Sequence, residues 1–224
     1  MANRTYASAW CRRLPEAELA GMFERLLETV PFSASRPGFQ SLVLRAVDSL
    51  QPPLMDMDLR LHPVTAGELV ELAREQMHED TAIETQAYWD LWTFDMRTGR
   101  WELSPQPIQI VCAGDFFDGA ACEQTGHFQA EVGFEHLFTG HAGLLTGANS
   151  AAAVSADPAE AAFFSHMADP AHLAEYGQHT RENIRALLGW VQRLEQVEGV
   201  ERCRLWSEGE ENVEAKLDEI LARH

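Results

Sequence analysis

A chain of 224 residues, 46% hydrophobic and 23% charged, has the balance of an ordinary globular protein and the length to bury a real core. Its net charge of −18, unbroken by any basic patch, makes nucleic acid and anionic membrane repulsive partners and favours a basic protein or a cation. No apolar run approaches the roughly 18–20 residues of a membrane helix, MANRTYASAWCRR lacks a signal peptide's apolar stretch, and four scattered cysteines without C-x-x-C predict a cytoplasmic chain with free thiols.

Residues 5–12 predict a first strand. Leu19, Met22, Phe23, Leu26, Leu27 and Val30 then recur at helical spacing, with Pro15 tolerated in the first turn, so a helix is predicted over 15–29. Residues 39–48 are β-rich, and 54–61 alternate Met55, Met57, Leu59 and Leu61 against Asp56, Asp58 and Arg60, the pattern of a half-buried strand. Thr65 and Glu68 form a capping box, flanked by Val64 and Leu69 as a hydrophobic staple, and open a helix over 66–78. A strand over 88–95 follows, then a turn with Gly99 at its tip, and two more strands over 107–113 and 126–133.

From 140 to 169 the chain is rich in glycine and alanine, which predicts an irregular connection ending in a short helix at PAEAAFFSHM. Asp169-Pro170 opens a long helix over 170–197, residues 200–206 predict a strand, and 210–223 a last helix with Val213, Leu217, Ile220 and Leu221 on one face. The fold class is therefore α+β. The first six elements follow the β-α-β-β-α-β order of ferredoxin-like folds over 1–139, extended by further strands, with 170–224 packing on the same sheet as one compact domain.

The chain carries little that names a reaction. Lys216, in the last helix, is the only lysine, so a G-x-x-x-x-G-K phosphate loop is absent and a Schiff base would have to use that residue. No G-x-G-x-x-G, G-x-S-x-G or H-E-x-x-H occurs either. Cys112 alternates with Ile108 and Ile110 as a core residue would, and Cys122 lies in a loop as a spectator thiol.

Two regions offer sites. In AYWDLWTFDMRTGRW one strand face carries Tyr88, Asp90, Trp92 and Phe94, the other Trp89, Leu91, Thr93 and Asp95. Bulk on both faces predicts a strand covered on both sides, the long C-terminal helix supplying the second cover. Asp90 among rings then needs an arginine or backbone amides, or else it faces a pocket lined by Tyr88 and Trp92.

The second region is GHFQAEVGFEHLFTGHAG. His127, Gln129 and Glu131 alternate with Phe128, Ala130 and Val132, which turns them outward, and His136 and His141 follow in a glycine-punctuated loop. His127, Glu131, His136 and His141, with a carboxylate from 115–123 or Asp90, form a candidate set for a divalent transition metal. A third group, His172, Glu175 and His179, falls roughly 200–260° around its helix from the apolar stripe Leu173, Tyr176, Thr180, Ile184, Leu187 and Leu194, and is expected at the surface. The leading functional expectation is a non-enzymatic module binding a basic protein partner, of toxin-neutralising or adaptor type. The alternative is a metal-assisted hydrolase built around 115–141. In the first case no cofactor is needed.

Overall fold

The computed structural model describes residues 3–95, 98–141, 144–145 and 158–223. Most of the expected irregular connection lies outside the described residues. The strands are β1 (Arg4–Cys11), β2 (Ser41–Ala46), β3 (Met55–Asp58), β4 (Thr81–Asp95), β5 (Arg100–Ala113), β6 (Phe128–Phe134) and β7 (Val200–Ser207). The helices are α1 (Glu16–Glu28), α2 (Ala66–Ala73), α3 (Cys122–Thr125), α4 (His136–Thr139), α5 (Pro158–Met167), α6 (Pro170–Glu195) and α7 (Val213–Ala222). None of the described helices is long and apolar enough to cross a membrane.

Among the described residues the strands form one antiparallel sheet in the order β3-β2-β4-β5-β6-β1-β7. The class is α+β, as the element order predicts, but the ferredoxin-like arrangement is not what the sheet adopts. That arrangement needs β1 beside the strands that follow α1. Here β1 pairs with β6 and β7, far along the chain, while β2, β3 and β4 pair among themselves. Element order is a local property, whereas the neighbour of β1 is chosen by burial across more than a hundred residues of chain.

One face of the sheet holds the core. Ala7, Ala9, Leu42, Leu44, Ile83, Trp89, Leu91, Ile108, Ile110, Phe128, Ala130 and Val132 are packed there against α1, α2, α6 and α7. Trp190 of α6 meets Trp89 at 5.7 Å, and its indole N–H donates to Thr29 Oγ1 at the end of α1. The long helix therefore joins α1 on the same face, and among the described residues no second cover lies over most of β4. The other face carries polar and aromatic pairs instead: Tyr6 stacked on Trp206 at 4.1 Å, Arg4 on Glu131, and Arg45 on Glu84.

The two longest strands differ most from expectation. β4 begins at Thr81, seven residues before the predicted start, because Ile83, Thr85, Ala87, Trp89 and Leu91 keep a strict alternation of buried side chains that Thr81 extends. Threonine is at home on a pleated, half-buried surface. β5 begins at Arg100 and runs through Pro105 and Pro107. Proline fits there because β6 pairs only with Gln109–Cys112, so β5 is an edge on that side and gives up no ladder hydrogen bond.

Local signals hold more closely. Thr65 Oγ1 accepts from Glu68 N–H while the Glu68 carboxylate accepts from Thr65 N–H at 2.8 Å, a complete capping box. Helix α2 nonetheless ends at Ala73 and tightens into a 3-10 turn over Arg74–Gln76. β3 stops at Asp58, so Leu61, predicted inward, is 89% exposed beyond the strand. Asp169 caps α6 through Ala171 N–H, and Asn212 caps α7 through Ala215 N–H.

Candidate functional site

Three loops meet at one end of the sheet. Val47, after β2, donates to the Asp80 carbonyl before β4. Asp118, after β5, donates its N–H to the Val47 carbonyl at 2.8 Å, and Phe116 N–H reaches the Glu79 carbonyl. Gly114 makes this closeness possible, since a Cβ there would lie 2.4 Å from the Glu79 oxygen. Val47, Asp118 and Ala120, the non-glycine residues with positive φ among the described residues, all sit in these loops, at φ 71°, 52° and 65°. For a β-branched residue such as Val47 that conformation is an outlier held by its surroundings. The same loops present apolar side chains to solvent: Leu50 is 92% exposed, Val47 57% and Phe116 55%.

Between the last of these loops and the end of β1 lies a cavity of about 460 Å3 whose lining includes Trp10, Arg13, Asp115, Phe116, Cys122 and His127. Asp115, Cys122 and His127 place one potential ligand atom each within 4.8 Å of one another. Their hydrogen bonds define the chemistry. Cys11 N–H donates to His127 Nδ1 at 3.1 Å, so that nitrogen carries no proton and Nε2 does. His127 Nε2–H in turn donates to Asp115 Oδ1 at 2.9 Å, and Asp115 Oδ2 accepts from Leu14 N–H. A metal on Nε2 would force the proton onto Nδ1, against the Cys11 amide. Burial, then the charges of Asp115 and Glu123, push the Cys122 thiol up, which keeps it protonated and a poor ligand or nucleophile. The trio reads as a satisfied hydrogen-bond lock joining the end of β1 to the loop after β5.

The structure does not gather the four predicted metal-binding residues. His127 precedes β6 and is buried at 7% exposure, not turned outward as strand alternation suggests, because the strand begins one residue later. Glu131 lies mid-strand and pairs with Arg4 at 2.9 Å. His136 and His141 follow the far end of β6, about 20 Å of strand away from His127. These two meet edge to face, their ring centroids 6.1 Å apart, and His141 Nε2 contacts Glu160 at 3.0 Å.

The aromatic stretch divides. Trp89 is core, and its indole N–H donates to the Val132 carbonyl. Asp90 finds a backbone amide: its Oδ2 accepts from Ala34 N–H at 2.9 Å, while Tyr88 lies under the Arg36 guanidinium at 4.7 Å. Tyr88 and Asp90 thus hold the loop after α1. Trp92 belongs elsewhere, with Trp101 and His179, whose ring centroid is 4.0 Å from that of Trp92 and 5.0 Å from that of Trp101. His179, expected at the surface, has a side chain only 11% exposed, because the β4–β5 hairpin reaches past the sheet to cover that helix face. Glu175 is exposed and His172 half-buried, stacked on His166 at 3.8 Å.

The three-loop end was not singled out from sequence. The only signal for it in the sequence is that Leu50 and the pair Phe116-Phe117 are large apolar residues set in turn segments. No family model, curated protein or solved structure matches the chain.

Proposed function

We propose that the protein is a non-enzymatic binding module that docks a basic protein partner, in the manner of a toxin-neutralising or adaptor protein, through the three-loop end. The observation that carries this reading is the exposure of Leu50, Val47 and Phe116 on loops that hold left-handed, non-glycine backbone. Each such residue costs about 1–3 kcal/mol, and clustered strain marks functional segments. Exposed large apolar residues gathered at one end of a fold mark an interaction surface. The charged side chains around them are mainly acidic, including Asp48, Glu79, Asp80, Asp118 and Glu123, with Arg45 already paired to Glu84. A rim of one sign steers and selects a partner of the other.

The test uses a designed helical peptide with leucine and arginine on one face. It should bind with an affinity that falls as salt is raised. Leu50→Ser with Phe116→Ser should weaken it at least ten-fold, and Glu79→Lys with Asp80→Lys should remove the salt dependence. Binding indifferent to salt and to both double variants, or none at all, would refute the reading.

A further inference from the structure

We propose a second binding site, in the cavity between the β4–β5 hairpin and α6, for an alkylated ammonium group that also carries a carboxylate. The cavity holds about 380 Å3 and is lined by Trp92, Gly99, Arg100, Trp101, Glu175 and His179. Phe94 faces Trp101 across the hairpin, which puts Trp92 one diagonal step from Trp101 on the same face. Both indoles remain partly exposed although each packs at a tilt against His179. The hairpin thus keeps two of the largest apolar side chains only partly covered, next to one carboxylate and one guanidinium.

The pairing of these groups selects the ligand. An indole face attracts a cation through its quadrupole, tryptophan most of all. Glu175 adds a full negative charge beside the rings, its side chain 53% exposed and 3.9 Å from His179 Nε2. The indole faces offer no lone-pair acceptors, so they suit a methylated nitrogen, which needs no hydrogen bonds, better than a primary ammonium, which must give up several to water. Arg100 forms no ion pair among the described residues and presents a planar fork suited to a carboxylate. A small zwitterion such as a betaine uses every one of these groups. A cation alone leaves Arg100 idle.

The test follows the indole N–H resonances of Trp92 and Trp101 as three probes are added: tetramethylammonium, glycine betaine and a peptide containing trimethyllysine. Betaine should shift both resonances saturably and bind at least ten-fold more tightly than tetramethylammonium. Arg100→Ala should reduce betaine to the level of tetramethylammonium, and Glu175→Gln should weaken both. Neither side chain is buried, so both variants should fold. Saturable binding of the trimethyllysine peptide at the same indoles, tighter than betaine, would assign the ammonium to a modified protein side chain and overturn the free zwitterion. No saturable shift with any of the three, or shifts unchanged in both variants, would overturn the site itself.

Discussion

The carboxamide of Asn183 on α6 takes up both backbone groups of Trp92 on β4. Trp92 N–H donates to Asn183 Oδ1 at 2.8 Å, and Asn183 Nδ2 donates to the Trp92 carbonyl at 3.0 Å and to the Leu137 carbonyl at 3.1 Å. β2 pairs with β4 only as far as Glu84; beyond it the Gln40 and Ser33 amides reach the Gln86 and Tyr88 carbonyls along that edge, and at Trp92 it is Asn183 that stands in for the missing strand. It is also where α6 crosses that edge: before it, Tyr176 and His179 pack on Trp101 and Trp92, and after it Trp190 packs on Trp89.

Asn183→Leu should therefore be costly. It leaves three backbone groups without their partner in a largely buried setting, at about 1–3 kcal/mol for each that water does not reach. A total loss of about 2–5 kcal/mol is expected in urea unfolding. A loss below about 1 kcal/mol would mean that water satisfies the edge.

Thr65→Ala should cost about 0.5–2 kcal/mol, because Thr65 Oγ1 accepts from Glu68 N–H, while Thr65→Ser should cost much less. An unchanged denaturant midpoint in the alanine variant would show that the cap contributes nothing to α2.

The His127 lock makes two predictions. His127→Phe leaves the buried Cys11 N–H without its acceptor and should destabilise by about 1–3 kcal/mol. Zinc in slight excess should leave the melting temperature unchanged, because Nε2 already carries a proton committed to Asp115. A zinc-dependent rise lost in His127→Phe would show that the ring rotates to bind metal.

Asp90 compensates a backbone amide at an exposed loop, not a buried arginine. Asp90→Asn keeps an acceptor and should cost under about 1 kcal/mol, and Asp90→Leu about 0.5–1.5 kcal/mol. A gain in melting temperature for Asp90→Asn would point instead to a strained charge at a ligand site.

Asp58 supplies a prediction in pH. Hydrogen bonds from the Arg60 side chain, then its backbone, lower the Asp58 carboxyl from 3.8 to about 2. A depressed carboxyl adds stability that is fully present above its ordinary value and is lost as pH falls through the folded one, here between 3.8 and about 2. A carbon-detected titration should find the midpoint near 2 in the parent and raised toward, but still below, 3.8 in Arg60→Ala, which keeps the backbone N–H at residue 60. Equal midpoints would show that Arg60 does not hold the carboxylate.

What depends on neighbours a few residues apart is legible in the amino-acid order. The capping box at Thr65, the Asp169 cap, the apolar stripe through Tyr176, Thr180, Ile184, Leu187 and Leu194, and Gly99 at a turn with φ 65° are all local consequences of spacing and side-chain type. Tertiary structure decided the rest. Which strand lies beside β1, why Asn183 and Trp190 are buried along the edge of the α6 stripe, why His127 faces inward, and how Trp92 meets Trp101 and His179 all turn on contacts between distant segments. No local pattern encodes them, because they are settled by which arrangement buries the most apolar surface while leaving the fewest backbone groups unpaired.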